Sequence, residues 1–187
     1  MQKLKKFADN KKGFTLIEVF VVVAMMVALT TLGGSGFVAL SHARASKVAN
    51  SLDVLMSQSK VNALSGRDNI LTVFYNETED TDKGYKAKTY YGILEDTDGI
   101  YEVAELGNRL VTINFKNTKG TRNVTAKDNI KIEFDTKNGA VSECRMIDTS
   151  NNAVLVDTDN KTEFYIQSGS TYMIELFKIT GEHRVQG

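Results

Sequence analysis

Lys11-Lys-Gly-Phe-Thr-Leu-Ile-Glu18, leading directly into Val19-Phe-Val-Val-Val-Ala-Met-Met-Val-Ala-Leu-Thr-Thr-Leu32, decides how this chain is read. No Asp, Glu, Lys or Arg occurs from Val19 to Ala43. A helix rises ~1.5 Å per residue, so about 20 residues cross a ~30 Å hydrocarbon core. The run therefore predicts a membrane-spanning helix. Glu18 is its odd member: a carboxylate within a span costs ~2.5–3.5 kcal/mol, and this calls for a partner.

Ahead of the run, Lys3, Lys5, Lys6, Lys11 and Lys12 stand against the single acid Asp9. Such a basic flank predicts a cytoplasmic N-terminus. An ordinary secretory signal carries its small-residue cleavage site after the apolar run. Here the better site lies before it, at Gly13-Phe14.

Lys11-Lys-Gly-Phe-Thr-Leu-Ile-Glu18 followed at once by an apolar helix resembles the processing signal of type IV prepilins and pseudopilins. The resemblance implies cleavage by prepilin peptidase between Gly13 and Phe14, with N-methylation of Phe14. It makes Glu18 the fifth residue of the mature chain, the position at which the family keeps a glutamate that aligns an incoming subunit. A free amine on Phe14 would lie one helical turn from Glu18, within pairing range of its own or a neighbouring subunit.

The apolar pattern continues at helical spacing through Ala45, Val48, Ala49, Leu52, Leu55, Met56 and Ala63, with Arg44, Lys47, Asn50 and Lys60 on other faces. This predicts an amphipathic continuation that lays one side on a soluble domain. Gly33-Gly34-Ser35-Gly36 interrupts the run, and each glycine costs ~1 kcal/mol against alanine in a helix. Gly33, Gly34 and Gly36 are thus the expected flexible point, where many family members carry a proline.

After Ser65-Gly66 the pattern changes to short strand-like stretches: 70–75, 85–94, 100–106, 110–115, 130–134, 140–147, 163–167 and 172–180. Asp98-Gly99, Asn138-Gly139 and Ser168-Gly169 are turn signals, and hairpins are expected across the last two. The fold class expected is α+β: a long N-terminal helix, membrane-spanning in its first half, packed on an antiparallel sheet in the manner of a pilin. Its organisation reads as a leader (1–13), a transmembrane and filament-core helix (14–41), an amphipathic continuation (42–66) and a β-rich domain (67–187). Residues 129–139 and 173–181 resemble the paired strand–turn motifs, each ending in glycine, of the FimT/GspH-like minor-pilin branch.

Function classes narrow quickly. The one cysteine, Cys144, rules out an internal disulfide framework. His42 and His183 have no Cys, second His or spaced carboxylate pair beside them, so no metal, cofactor or catalytic residue is expected. The acidic stretches 77–82, 95–99 and 157–160 do not complete a calcium loop. The whole chain carries 23 basic and 23 acidic residues; removal of five lysines and one aspartate with the leader leaves 18 and 22, a net charge of −4. That balance disfavours phosphate-driven capture of nucleic acid; Arg184, with His183 and Lys178 near it in sequence, is the candidate for a DNA contact, diluted by Glu175 and Glu182.

The resemblance implies a structural subunit, a minor pilin or pseudopilin, of a type IV pilus or a type II secretion pseudopilus. Its partners would be prepilin peptidase, other pilin subunits, and the membrane with its inner-membrane assembly platform. It would sit in the cytoplasmic membrane as a single-pass protein with the N-terminus inside, then in a periplasmic or cell-surface filament. The alternatives are a minor pilin that binds DNA or a surface ligand, and a signal-anchored domain that never polymerises.

Overall fold

The computed structural model describes residues 15–67, 69–80, 85–108, 110–148, 150–156 and 160–187, with only the backbone described at 31–35, 78–80, 85–88, 101, 155 and 156. Among the described residues, one helix, α1 (Leu16–Leu64), precedes eleven strands. They are β1 (Ile70–Asp80), β2 (Tyr85–Asp96), β3 (Gly99–Asn108), β4 (Thr112–Asn117), β5 (Gly120–Asn123) and β6 (Asp128–Phe134), then β7 (Val141–Asp148), β8 (Ala153–Val156), β9 (Lys161–Ser168), β10 (Ser170–Phe177) and β11 (Glu182–Gln186). Contacts divide the chain into two compact units, Met1–Ala39 and Leu40–Gly187.

Within the second unit the strands form two antiparallel sheets. One has the order β3-β2-β1-β6-β7-β8 and the other β11-β10-β9-β4-β5. Alternation explains the central strands: β6 reads Asn129-Ile-Lys-Ile-Glu-Phe134, and its Ile130, Ile132 and Phe134 are buried. From α1 the unit takes the stripe Ala45, Val48, Ala49, Leu52, Leu55, Met56 and Ala63, all 0–3% exposed, into one core with residues of both sheets. Two glycines make room for it. A Cβ at Gly92 would collide with Leu55, and one at Gly107 would lie 2.6 Å from Val48 Cγ2.

Two expectations are corrected here. The first is the α+β picture of a long N-terminal helix, membrane-spanning in its first half, packed on one antiparallel sheet. The described protein is mostly β, with two sheets rather than one. Among the described residues, only the α1 positions from Leu40 onward belong to the unit that holds the strands, and those up to Ala39 belong to a separate unit. The second is the single-pass location in the cytoplasmic membrane. Among the described residues no helix is long and apolar enough to cross a membrane. A single-pass inner-membrane protein is therefore not supported.

The two sheets meet where two turns interlock. β6 and β7 pair across Asn138-Gly139, and β10 and β11 across the turn ending at Gly181. The Val141 N–H donates to the Lys178 carbonyl at 2.8 Å, tying one turn to the other. Gly181 has φ +61°, and a Cβ on it would overlap the Gly139 carbonyl oxygen. Only glycine meets both demands, since the left-handed backbone and the clash each oppose a side chain.

A polar ladder crosses the second sheet. Glu163 on β9 accepts from the Tyr165 hydroxyl at 2.7 Å and pairs with Lys116 on β4 and Lys161, each at 3.1 Å. Lys161 also pairs with the buried Glu175 on β10, which accepts from Gln186 on β11 at 2.9 Å. The Tyr165 hydrogen bond first, and then the two lysines, pull the Glu163 carboxyl down to about 2.

Two outcomes are expected. Gly181→Ala lowers unfolding stability by about 3 kcal/mol in a denaturant titration, against about 1 kcal/mol for Gly66→Ala, where φ is +85° but the space is open. Because Glu163 ionises more readily folded than unfolded, its contribution is complete above about 4.5 and is lost as pH falls toward about 2. Acid titrations followed by circular dichroism are expected to show a shallower loss over that window for Glu163→Gln than for the parent.

Candidate assembly site

The start of α1 is built by Thr15 and Glu18. The Thr15 N–H and hydroxyl both donate to Glu18 Oε2, at 2.8 and 2.9 Å, and the Glu18 N–H approaches Thr15 Oγ1 at 3.4 Å. This is a capping box: a threonine at the N-cap and a glutamate three residues on satisfy each other's backbone donors. Thr-Leu-Ile-Glu carries that signature in the sequence, so Thr15 is a site residue that attention to Glu18 alone misses. The carboxylate so fixed also lies at the positive end of the helix dipole.

Gly13 and Phe14, the cleavage and methylation candidates, lie outside the described residues. Pairing of Glu18 with the Phe14 amine therefore lies outside them too. Gly33 and Gly34 lie among the residues whose side chains and packing are not described. Gly36 has open space around it: a Cβ placed there would meet nothing within 4 Å. The α1 backbone is helical across all three glycines.

The first unit's defining surface is apolar. Every described large apolar side chain from Leu16 to Val38 is at least 44% exposed, and those exposed positions fall on all sides of the helix rather than on one stripe. A helix apolar all round is one that buries itself against something else. Fully covering a single Val, Leu or Phe side chain is worth ~1.5–3 kcal/mol, so the surface carries a large driving force for association.

Lys178 and Arg184 are not gathered into a basic face. Lys178 lies in the turn after β10, its N–H donating to the Asn160 carbonyl at 2.9 Å. Arg184 is exposed on β11, opposite Glu175 in register. It lines a cleft of about 580 Å³ with Asp53, Ser57, Lys60, Glu182 and His183 among others, and not with Lys178. Two acids face two bases across that cleft, so its walls hold no net positive charge when His183 is neutral. Lys60 is already occupied in donating to the Thr180 carbonyl at 2.9 Å.

The same cleft brings together Ser57, His183 and Asp53, residues that are 126 and 130 positions apart in sequence from the histidine. Ser57 Oγ lies 3.0 Å and Asp53 Oδ1 3.2 Å from the same ring nitrogen, His183 Nε2. A nucleophilic relay needs serine on one ring nitrogen and the carboxylate on the other. Nδ1 instead is buried without a hydrogen-bond partner. The cluster ties β11 to α1. Among the described residues no three His, Cys, Asp or Glu side chains are grouped to hold a metal.

Comparison with known proteins returned no matching family model, no matching curated protein and no matching solved structure.

Thr15→Ala removes the cap and is expected to cost about 1 kcal/mol of helix stability at this end. Amide hydrogen exchange at residues 16–19 measures it: faster exchange there with unchanged exchange in the strands is the expected result. Thr15→Ser, which keeps the hydroxyl, restores protection.

Proposed function

We propose that the chain is a filament subunit of the minor pilin or pseudopilin kind, in a type IV pilus or a type II secretion pseudopilus. It is processed after Gly13 and assembled through the N-terminal part of α1. The observation that carries this reading is the pairing of Lys11-Lys-Gly-Phe-Thr-Leu-Ile-Glu18 with a helix whose apolar residues are exposed on every side. The motif supplies a way to create a new N-terminus directly in front of the capped helix. The apolar surface supplies the energy for helices of successive subunits to pack together, as burial offsets the cost of ordering them.

In this reading Glu18 has two tasks. It closes the first turn with Thr15 through Oε2, and it holds a negative charge where the Phe14 amine of the same or the next subunit arrives. Misplaced subunits leave that charge unpaired among apolar side chains, a costly arrangement that favours the correct register. The β-rich unit is then carried on the filament, and its loops and cleft are the surfaces left for other partners.

Intact mass and N-terminal sequencing of the protein from cells with an active prepilin peptidase test the processing step. The expected chain starts at N-methylated Phe14; one that still starts at Met1 overturns the proposal. Glu18→Ala is expected to be processed and folded, yet to leave at least about tenfold less subunit in sheared filaments, a factor equal to ~1.4 kcal/mol of lost pairing. Undiminished filament recovery would remove Glu18 from assembly.

A further inference from the structure

The helical stripe that enters the β-rich unit begins with a polar residue. Ser41 is 6% exposed, whereas Leu40 before it is 49% exposed and His42 and Ala43 after it are exposed. One turn later the stripe continues with Ala45, and then with Val48 and Ala49. Ser41 is thus the first α1 side chain that the unit Leu40–Gly187 buries.

What meets it is the tip of the β9–β10 hairpin. Ser168 and Ser170 face each other in register across Gly169. Gly169 has φ +74°, and a Cβ there would stand 2.6 Å from Ser41 Oγ and 2.9 Å from Ser41 Cβ. Both distances are too short for a real contact, so the apex approaches the helix as closely as it does because it carries no side chain. Ser168 is buried, and the Ser170 hydroxyl is buried with no hydrogen-bond partner, a cost that a loosely seated loop would shed by turning to water.

We infer that the Ser168-Gly169-Ser170 tip is a clamp that seats on Ser41 and fixes the point at which the β-rich unit takes hold of α1. Further along α1 the stripe packs through apolar contacts, which define a face and tolerate small slides, with polar ties at Asp53, Ser57, Ser59 and Lys60 in its second half. A steric fit between a bare glycine and a short side chain tolerates none, and it sits at the upstream end of the stripe. In sequence, Gly33, Gly34 and Gly36 lie only five to eight residues ahead of it. Fraying of α1 that starts in that low-propensity stretch is stopped at Ser41 and does not unzip the stripe from the sheets.

Amide hydrogen exchange on the full chain in non-ionic detergent tests the clamp. Gly169→Ala is expected to speed exchange at residues 41–48 about tenfold, while Gly66→Ala, with a similar φ and open space, leaves those amides unchanged. Ser41→Leu overfills the contact from the helix side without touching the hairpin backbone, and is expected to produce the same local loosening. Ser41→Gly removes both atoms that a Cβ at 169 would strike. In the Gly169→Ala background it is expected to return exchange at 45–48 to that of Ser41→Gly alone, a coupling that backbone strain at 169 cannot generate. Unchanged exchange in both Gly169→Ala and Ser41→Leu, or additive effects in the double variant, overturns the clamp.

Discussion

The β-rich unit depends on the seating of one helical stripe, Ala45 to Ala63, against two sheets at once. Leu55 and Val48 press on Gly92 and Gly107 of the first sheet, while Ser57 and Lys60 reach His183 and the Thr180 carbonyl beside the second. A single sheet with one polar face needs only one partner layer, but two sheets leave edges and faces that must be closed together. The stripe and the Gly139–Gly181 interlock do this jointly: the helix fills the space, and the turns hold the sheets in register. Losing either would expose core residues such as Phe115, Phe134 and Phe164, which are buried to within 2%.

The first unit follows the opposite logic. Its helix has a well-made beginning, the Thr15–Glu18 cap, and a surface that water does not favour. Its described large apolar side chains are exposed, and no helix among the described residues is long and apolar enough to cross a membrane. The cap fixes the first turn, and the exposed apolar side chains carry a driving force for burial.

Chemistry suggested by residue type was decided by geometry. Serine, histidine and aspartate do meet in the cleft by β11, but on one ring nitrogen, which makes them a fastening. Arg184 stands there with as much acid as base around it, and Lys178 is elsewhere. Asp53 and Glu182 balance Lys60 and Arg184 along the walls of that cleft.

By itself the sequence determined the elements whose causes are local. Period 3.6 marked the buried stripe from Ala45 to Ala63, because a helix repeats its face without help from the rest of the chain. Alternation marked β6, and Asn138-Gly139 and Ser168-Gly169 marked their hairpins, because a left-handed turn backbone selects glycine. Thr15 and Glu18 carry a capping-box spacing as well, but the reading of Glu18 as an odd charge in an apolar run passed over Thr15. The tertiary structure alone decided how many sheets the strands make, since register and order depend on non-local pairing. β5, β8 and β11 were missed because four or five residues are too few to show a period. It also decided that Gly181 must be bare against Gly139, and Gly169 against Ser41, because close approach is a property of two distant segments and leaves no mark in either one alone.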